Sequence, residues 1–480
     1  MGGLLYIVYA LIVIAAAAAI IHVLMDNRQP AKTMAWVLVI GFIPIVGVVF
    51  YLFFGINHRK ERIISQGQMD ELTKRSMLSF VEQHNFRVPE RQKPLVDLFV
   101  NQNMALPFKV SQIDIMTDGY AFFPELLKDI AAATHHIHIN MYIIEDDALG
   151  RLVADALMAK ARQGVKVRLI YDDVGCWRVG RHFFEQMREA GIEVAPFLPV
   201  RFPSFTSKVN YRNHRKIIVV DGRVGYIGGM NIARRYVSTK WRDTMLRVQG
   251  GVVYALQRAF LVDWYFVDHS LITDRVYYPP VSEEQTAKSQ LPLSATPLRI
   301  AQVVTSGPIA RYPEIMQGFV RIILAARRYI YVETPYFLPN EPILFALKTA
   351  ALAGVDVRLM CPLSSDARFL DWASRSYLRE IYDAGARVCL YKPGFLHSKL
   401  LISDDSLVSC GSVNVDFRSL ENNFEANAFI YDEGTALRLK KVFLDDQSQA
   451  VLLSDVPNRL HPKFYARLWE SITRMVSPLL

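Results

Sequence analysis

The sequence predicts an α/β protein made of two tandem, duplicated domains with mostly parallel central sheets, preceded by two transmembrane helices. Three observations lead to this prediction. The chain has 480 residues, too many for one ordinary domain. Its N-terminal part is strongly apolar, and beyond residue 100 similar strand and helix segments occur twice. With 51% hydrophobic and 21% charged residues, the composition excludes a disordered chain.

Two apolar runs make residues 1–60 a predicted membrane anchor. The first, from Leu4 to Ile21, has no charge and no proline, and the second, from Met34 to Phe54, has no charge. Runs of this length suffice to span a bilayer, so we expect helices at about 4–24 and 34–54. A cleaved signal peptide is the alternative for the first run, which lacks a basic leader. Lys and Arg are more frequent after the second run than between the runs, which predicts a multi-pass anchor with both termini cytoplasmic.

The rest of the chain repeats itself at a separation of about 190 residues. The segment ARQGVKVRLI at 161–170 matches ALAGVDVRLM at 351–360, and AGIEV at 190–194 matches AGARV at 384–388. Alternating helices and strands indicate α/β architecture with largely parallel sheets. The predicted divisions are a helical connector at 61–104, domains at 105–280 and 298–456, a polar linker at 281–297 and an amphipathic C-terminal helix at 457–480.

The strongest signal is a motif that occurs once in each copy. It reads His-x-Lys, four residues and Asp, followed by a small-residue pair, one residue and Asn. Its residues are His214, Lys216, Asp221, Gly228, Gly229 and Asn231 in the first copy, and His397, Lys399, Asp404, Gly411, Ser412 and Asn414 in the second. Residues i and i+2 of a strand face the same way, so each His and Lys share a face. The odd spacing of the Asp predicts a structural role, in a turn or a salt bridge, rather than acid–base work.

Two histidines, two lysines and two asparagines suit a phosphodiester substrate. One imidazole can attack phosphorus while the other protonates the leaving group. The lysines and asparagines can stabilise the non-bridging oxygens, and the small pairs allow close approach of the backbone to a ligand. Asp243 and Glu425 follow the two histidines at similar distances, and each could orient its imidazole.

This chemistry needs no metal. The sequence has no Walker loop, no H-E-x-x-H and no acidic metal cluster. The nearest metal candidate is formed by His135, His136 and His138, which strand alternation explains if Ile137 and Ile139 point inward. Four scattered cysteines exclude a disulfide scaffold and a Cys-rich zinc site.

The two motifs resemble the HKD signature of the phospholipase D superfamily, and within it the chain is most similar to the bacterial cardiolipin synthases. The resemblance extends over essentially the whole chain. It is carried further by the apolar segment at 28–55, WRDT at 241–244, TPYF at 334–337 and SPLL at 477–480. One departure is Asn140, which stands where many relatives have Glu, whereas the partner strand has Glu333.

The resemblance implies two phospholipase D-like domains and a specific reaction. A phosphatidyl group would pass from one phosphatidylglycerol to another, giving cardiolipin and glycerol without a cofactor. His214 would be the nucleophile and His397 the acid–base partner. It further implies a bacterial plasma-membrane protein with a cytoplasmic catalytic body.

The expected partners are phosphatidylglycerol and anionic lipids, in keeping with a net charge of +9. Nucleic acid is not expected, and the oligomeric state, including a homodimer, is open. The alternatives are a phospholipase D-type hydrolase, a transferase using another acceptor such as phosphatidylethanolamine, a nuclease, and a non-catalytic scaffold. Two segments could touch the bilayer: the basic and aromatic residues at 200–216, and the C-terminal helix with Phe464, Leu468, Ile472 and Met475 on one side. A solvated loop and docking against the core are their respective alternatives.

Overall fold

The computed structural model describes residues 2–25, 30–55, 88–200, 211–238, 240–280, 299–475 and 477. Four sequence predictions therefore lie partly or wholly outside the described residues. They concern the connector over 61–87, the basic and aromatic stretch over 201–210, the linker at 281–297, and the terminal SPLL apart from Ser477.

The N-terminal segment consists of a long helix and a broken one. Helix α1 (Gly2–Met25) contains Tyr6–Met25, the one stretch of the described residues long and apolar enough to cross a membrane. The predicted second span at 34–54 is not confirmed, because the chain forms α2 (Pro30–Phe42) and α3 (Pro44–Phe50), followed by a π-helical turn at Tyr51–Gly55. The break falls at Ile43, which has φ −134° and ψ 71°. A residue before proline disfavours the α conformation, so Pro44 ends the helix.

Helix α3 folds back along α2 to make a helical hairpin. A Cβ atom on Gly47 would lie 2.7 Å from the Cα of Ile40, so only glycine permits this approach. Further along the same hairpin, the rings of Trp36 and Tyr51 are 5.4 Å apart. Helix α1 packs against the hairpin, and Nδ1 of His22 lies 2.6 Å from the hydroxyl of Tyr51.

The first domain is built on a seven-stranded sheet in the order β2-β9-β7-β6-β3-β4-β5. Its strands are β2 (Gln112–Met116), β3 (His136–Met141), β4 (Lys166–Asp172), β5 (Glu193–Phe197), β6 (Ile217–Val220), β7 (Val224–Gly228) and β9 (Met245–Gln249). Its helices are α5 (Gly119–Ala132), α6 (Ala148–Arg162), α7 (Arg181–Glu189) and α8 (Val252–Asp268). Short strands β1 (Phe108–Lys109) and β8 (Trp241–Arg242) leave this sheet to pair with the second domain.

The second domain repeats that order as β10-β19-β17-β16-β11-β13-β14, with β1 and β20 at its edges. Its strands are β10 (Ile300–Ser306), β11 (Tyr329–Glu333), β13 (Asp356–Pro362), β14 (Arg387–Tyr391), β16 (Leu400–Ser403), β17 (Leu407–Gly411), β19 (Glu425–Tyr431) and β20 (Ala450–Leu452), and its short strands are β12 (Phe337–Leu338), β15 (Phe395–Leu396) and β18 (Val415–Asp416). The helices of this half are α9 (Glu314–Ala325), α10 (Glu341–Leu352), α11 (Arg368–Asp383), α12 (Glu433–Ser448), α13 (Pro457–Leu460) and α14 (Phe464–Met475). Helix α4 (Lys93–Asn103), from the predicted connector, packs on α9.

The prediction of mostly parallel sheets is wrong, since both sheets are mixed. Only β3–β4 and β4–β5 are parallel in the first sheet, and only β11–β13 and β13–β14 in the second. These pairs flank crossover helices, as parallel strands require. The later strands of each copy follow one another without a helix and therefore pair antiparallel, beginning with the tight turns at Asp221 and Asp404.

The two domains share an apolar layer between their sheets. Buried residues of β6, β7 and β9 meet buried residues of β16, β17 and β19 within one core cluster. Separate clusters fill the outer faces, between each sheet and the helices that connect its parallel strands. This arrangement fixes the two motifs relative to each other, because each lies at the start of a central strand, β6 or β16.

Candidate active site

His214 and His397 lie at the boundary between the two domains. Each is 8% exposed. The backbone N–H of His214 donates to the carbonyl of Phe424 at 2.9 Å, and that of His397 donates to the carbonyl of Arg242 at 2.7 Å. Each histidine segment thus pairs with the segment of the other copy that immediately precedes an acid, Glu425 or Asp243. The two halves of the site are built across the domain boundary.

The acids are therefore exchanged between the copies. Nδ1 of His214 lies 2.9 and 3.1 Å from the two carboxylate oxygens of Glu425. Nδ1 of His397 lies 2.7 Å from Oδ2 of Asp243. Spacing along the sequence suggested that each acid would hold the histidine of its own copy. That expectation fails because sequence distance does not reveal the pairing of segments from different domains.

These contacts set the tautomer of both imidazoles. Burial lowers the pKa of His214 to about 4 and that of His397 to about 3, against the opposing effect of each carboxylate. Burial acts to raise the pKa of Glu425, but His214 and Lys216 hold it below its usual value, so Glu425 is an ionised acceptor. A neutral imidazole that donates from Nδ1 keeps a lone pair on Nε2. Nε2 is thus the nitrogen of each histidine that is left with a lone pair.

Lys216 and Lys399 lie beside the histidines and are almost fully buried. Each ammonium donates to the carbonyl of the histidine in its own motif, at 2.7 Å in the case of Lys216. Burial lowers the pKa of Lys399 to about 8 and that of Lys216 well below its usual value. A buried ammonium is costly unless an anion accompanies it. A phosphate bound between the lysines would supply that anion.

Asn231, Ser412 and Asn414 make hydrogen bonds within the protein. Asn231 donates to the hydroxyl of Tyr236 at 2.6 Å and accepts from the N–H of Ile143 at 3.1 Å. Ser412 donates to Glu425, and Asn414 is hydrogen-bonded to Asp416. Binding or support of a phosphate by these residues stays a prediction. The hydrogen bonds of Asn231 and Ser412 hold the loops and the acid beside the histidines, whereas the buried Oδ1 of Asn414 has no hydrogen-bond partner among the described residues.

The glycines of the motif make room for neighbouring protein groups. A Cβ atom on Gly229 would lie 2.1 Å from Oδ1 of Asp243. A Cβ atom on Gly411 would lie 2.3 Å from both the carbonyl of Ala426 and Oδ1 of Asn427. At both positions a larger residue would collide with neighbouring protein groups, and the predicted close approach of the backbone to a ligand stays a prediction.

Asp221 and Asp404 are turn residues, as their odd spacing predicts. Both have a positive φ, 52° and 51°. Asp221 accepts hydrogen bonds from the backbone N–H groups of residues 134–136 at 2.8 to 2.9 Å. Asp404 accepts from those of residues 327–329 at 2.8 to 3.0 Å. Each aspartate therefore fixes the start of the neighbouring strand, β3 or β11, and neither contacts a motif histidine.

Arg215 and Arg242 are site residues that the sequence reasoning missed. Nε of Arg215 donates to the carbonyl of Glu425 at 3.0 Å, and its guanidinium pairs with Asp263. Arg242 donates to the carbonyl of Asp243 at 2.6 Å and pairs with Asp446 at 2.7 Å. Each arginine thus anchors the backbone of one histidine-orienting acid. The sequence did contain a signal for both arginines. Arg215 directly follows a motif histidine and Arg242 directly precedes an orienting acid, next to strands that are otherwise apolar.

The departure at Asn140 is accommodated locally. Asn140 donates to Asp263 at 2.6 Å and accepts from Asn213 at 2.9 Å, so it joins the network that holds Arg215. At the corresponding place in the second domain, burial and the neighbouring Asp446 raise the pKa of Glu333 to about 7. The two halves therefore support their arginines with different polar groups.

The histidine cluster of β3 is wholly buried, which differs from the predicted alternation. His136, His138 and the isoleucines between them are all inaccessible. Gln257 of α8 bridges the pair, lying 2.9 Å from Nε2 of His136 and 2.8 Å from Nδ1 of His138. Among the described residues, no group of three or more His, Cys, Asp or Glu side chains is placed to hold a metal ion.

Buried neutral histidines predict a loss of stability in acid. Burial lowers the pKa of His136 to about 4, whereas an unfolded histidine titrates near 6.5. Between these values the unfolded chain binds more protons, so the free energy of unfolding falls as the pH decreases from about 7 to 4. His214 and His397 act in the same direction. We expect the thermal unfolding midpoint in detergent to be several degrees lower at pH 4.5 than at pH 7. The difference should shrink in His136→Gln; an unchanged or higher midpoint in acid would contradict the prediction.

Comparison with known protein families matches the N-terminal helices and both domains of the chain. Residues 126–264 and 319–447 match a family described as "Cardiolipin synthase, PLD-like domain". Residues 14–55 match one described as "Phospholipase_D-nuclease N-terminal". Duplicated mixed sheets with a His-x-Lys motif from each half at their boundary define a two-domain protein of the phospholipase D superfamily.

Relatives that match nearly the whole chain show to which family of this superfamily it belongs. A cardiolipin synthase of Geobacillus kaustophilus is 39% identical over 468 residues, which is 95% of this chain and 90% of the relative. The major cardiolipin synthase of Bacillus subtilis is 35% identical over 483 residues, which is 96% of each chain. This chain belongs to the cardiolipin synthase family. The crystal structure of a phosphatidylserine synthase from Haemophilus influenzae shares the fold, with a TM-score of 0.62 at 15% identity over 82% of this chain and all of that one.

Proposed function

We propose that this enzyme transfers a phosphatidyl group from one phosphatidylglycerol to another, releasing glycerol and forming cardiolipin. The family relationship supports the reaction, and the substrates follow from the relatives it contains. The observation that carries the mechanism is the pair of exchanged histidine–carboxylate contacts, which present two imidazoles with reactive Nε2 atoms to one buried, lysine-lined site.

In the first step, Nε2 of His214 attacks the phosphorus of phosphatidylglycerol. The bond between phosphorus and the headgroup glycerol oxygen breaks, and protonated His397 gives its proton to that oxygen, so glycerol leaves. A phosphatidyl group remains on His214. Splitting the displacement in this way replaces one difficult step with two easier ones. Lys216 and Lys399 stabilise the negative charge on the non-bridging oxygens.

In the second step, His397 acts as a base. Its Nε2 takes the proton from a headgroup hydroxyl of a second phosphatidylglycerol, whose oxygen attacks phosphorus and displaces His214. The proton on His397 is then available for the next cycle. Burial and the charge of Lys399 lower the pKa of His397, while Asp243 acts to raise it. A substrate phosphate offsets the lysine charges and thereby helps His397 to carry its proton when it must act as an acid.

A reaction with one lipid tests this function directly. Purified enzyme in mixed micelles would receive phosphatidylglycerol as the only phospholipid, with products measured by lipid mass spectrometry. Cardiolipin and glycerol in equal amounts are the expected result. Phosphatidic acid in place of cardiolipin would make the protein a hydrolase. Product only after phosphatidylethanolamine is added would show that the acceptor is a different lipid.

The same proposal places the catalytic body in the cytoplasm, held by α1 and the α2–α3 hairpin. The apolar part of α2, Thr33–Phe42, is about 15 Å long at 1.5 Å per residue, half of a hydrocarbon core of about 30 Å. Because α3 runs back along α2, the hairpin re-enters the side from which it came. The N–H groups of Ile43 and Gly47 donate to carbonyls within the hairpin at 3.0 and 2.7 Å, so its turn can lie in lipid.

The distribution of positive charge favours this hairpin over the paired spans. No Lys or Arg precedes Arg28. Arg28 lies between α1 and the hairpin, Lys32 is in the first turn of α2, and Arg59, Lys60 and Arg62 follow the hairpin. Two spans would put Arg28 and Lys32 outside. The hairpin keeps every one of these charges on the side of the catalytic body, as the preference for positive charge in the cytoplasm requires. The N-terminus is then external, opposite to the sequence-based expectation.

Thiol labelling separates the two topologies. We expect an impermeant maleimide to label Gly3→Cys from outside intact cells, and to label Asn27→Cys and the body control Gln163→Cys only in inverted vesicles. Paired spans predict the reverse for residues 3 and 27. The four native cysteines are buried, which keeps their background reaction low. Labelling of Asn27→Cys from outside would overturn the hairpin.

A further inference from the structure

Helix α14 packs on the protein by its polar face. Glu470 and Thr473 are 1% and 0% exposed, and Arg379 of α11 pairs with Glu470. Arg474 donates to Glu380 of α11 at 2.7 Å. The predicted amphipathic helix therefore exists, but its orientation is the reverse of core docking. Ion pairs fix its polar side, and this forces the apolar side outward.

The outward side is unusually apolar for a protein surface. Six large side chains of this twelve-residue helix are between 44% and 82% exposed, and we call them the α14 apolar face: Phe464, Tyr465, Leu468, Trp469, Ile472 and Met475. Single exposed apolar residues are ordinary, whereas a contiguous set of this kind marks an interaction surface.

Charge and composition indicate which partner covers this face. Lys463 and Arg467 are exposed beside it, and neither has an acidic partner among the described residues. Tyr465 and Trp469 are the residue types that concentrate at the level of lipid headgroups. A helix with an apolar face edged by basic residues suits the boundary of an anionic bilayer. Two copies of α14 meeting face to face would instead bring these like charges together.

A chain of neighbouring residues connects the face to His397. The ring of Trp469 lies 6.5 Å from that of Phe369, in the first turn of α11. Just before α11, Asp366 accepts a hydrogen bond of 2.7 Å from the hydroxyl of Tyr336. The Tyr336 ring is 6.2 Å from Phe395, which is 5.7 Å from His397. A surface held by α14 would thus lie beside the wall that leads to the catalytic histidine.

We infer that the α14 apolar face inserts into the headgroup region of the same anionic membrane in which α1 is anchored. This second contact holds the site against the bilayer that contains its substrates, and it rests on the proposed function because it assumes lipid substrates. The N-terminal anchor limits the distance of the body from the membrane, and α14 determines which side of the body faces it.

The first test measures contact without reference to catalysis. Leu468→Cys, labelled with an environment-sensitive fluorophore, would be reconstituted as the full chain in vesicles containing phosphatidylglycerol. We expect blue-shifted emission that is quenched by lipids brominated near the headgroup. The matched control is Leu352→Cys on α10, which is 73% exposed but outside the face. Emission as in water would overturn the inference. A blue shift without bromine quenching, with cross-linking between copies, would assign the face to a second copy instead.

The second test measures the consequence for turnover. In Leu468→Ser/Ile472→Ser, we expect the ratio of activity on phosphatidylglycerol vesicles to activity on monomeric short-chain phosphatidylglycerol to fall by about tenfold. Leu352→Ser should leave this ratio unchanged. An unchanged ratio in the double variant would count against the inference. If the wild-type enzyme showed no transfer at all, the proposed function would fail, whereas the fluorescence test would still decide the membrane contact.

Discussion

Replacing either motif histidine by alanine is expected to lower turnover by about 10⁴-fold or more. In the proposed mechanism His214 and His397 act on the same phosphorus in sequence, and residues that act as a unit lose nearly the whole rate when one is removed. The remaining imidazole cannot take over, because each imidazole is held in place by a different carboxylate, at 2.7 to 3.1 Å. Cardiolipin formation from phosphatidylglycerol, measured with the purified variants, gives the result.

The control for this loss is an exposed histidine outside the site. His182→Ala on α7 should retain the wild-type rate. Far-ultraviolet circular dichroism of all three variants would show whether the fold is intact, since a buried histidine leaves a cavity when it is truncated. Near-normal turnover in folded His214→Ala or His397→Ala would refute the paired-histidine mechanism.

The duplication and the motif could be read from the sequence because they are local patterns. Spacing within one strand placed His214 beside Lys216 and turned Asp221 away, and the structure has both arrangements. Equal separations between repeats likewise predicted two domains, whose sheets have the same strand order.

What the sequence could not provide depends on contacts between distant segments. Half of each sheet is antiparallel because its strands follow one another without a crossover α-helix between them. Composition alone could not distinguish these short connections from helical crossovers. The exchange of Asp243 and Glu425 follows from parallel pairing across the domain boundary. The break at Ile43 was available in principle, because Pro44 restricts the residue before it, but the length of the apolar run outweighed that signal.

Each acid contacts the histidine of the other copy, so replacing an acid should impair that histidine rather than the one nearer to it in the sequence. Asp243→Asn and Glu425→Gln should each lower cardiolipin formation by about 10³- to 10⁴-fold, because an amide can favour the wrong imidazole tautomer while preserving its size. The step affected should differ. Asp243 contacts His397, the proposed acid, whereas Glu425 contacts His214, the proposed nucleophile.

A substrate with an activated leaving group exposes that difference. The nitrophenyl ester of phosphatidic acid loses nitrophenolate without protonation, so the first step no longer needs an acid. We expect His397→Ala and Asp243→Asn to release about one equivalent of nitrophenolate per site in a rapid burst and then to stall. His214→Ala and Glu425→Gln should give no burst. Stopped-flow absorbance measures the burst, and acid-labile, alkali-stable phosphorus retained on the protein identifies the histidine-bound intermediate.

The four variants answer two separate questions, since the histidine pair identifies the nucleophile and the acid pair identifies which carboxylate serves it. Bursts in His397→Ala and Glu425→Gln would mean that each acid serves the histidine of its own copy, against the contacts across the boundary. Bursts in His214→Ala and Glu425→Gln would preserve the exchange but make His397 the nucleophile. Only bursts in His397→Ala and Asp243→Asn support both the exchange and His214 as the attacking residue. The near-symmetry of the sequence leaves the identity of the nucleophile open. The activated leaving group identifies it, because it removes the need for the acid and not the need for the nucleophile.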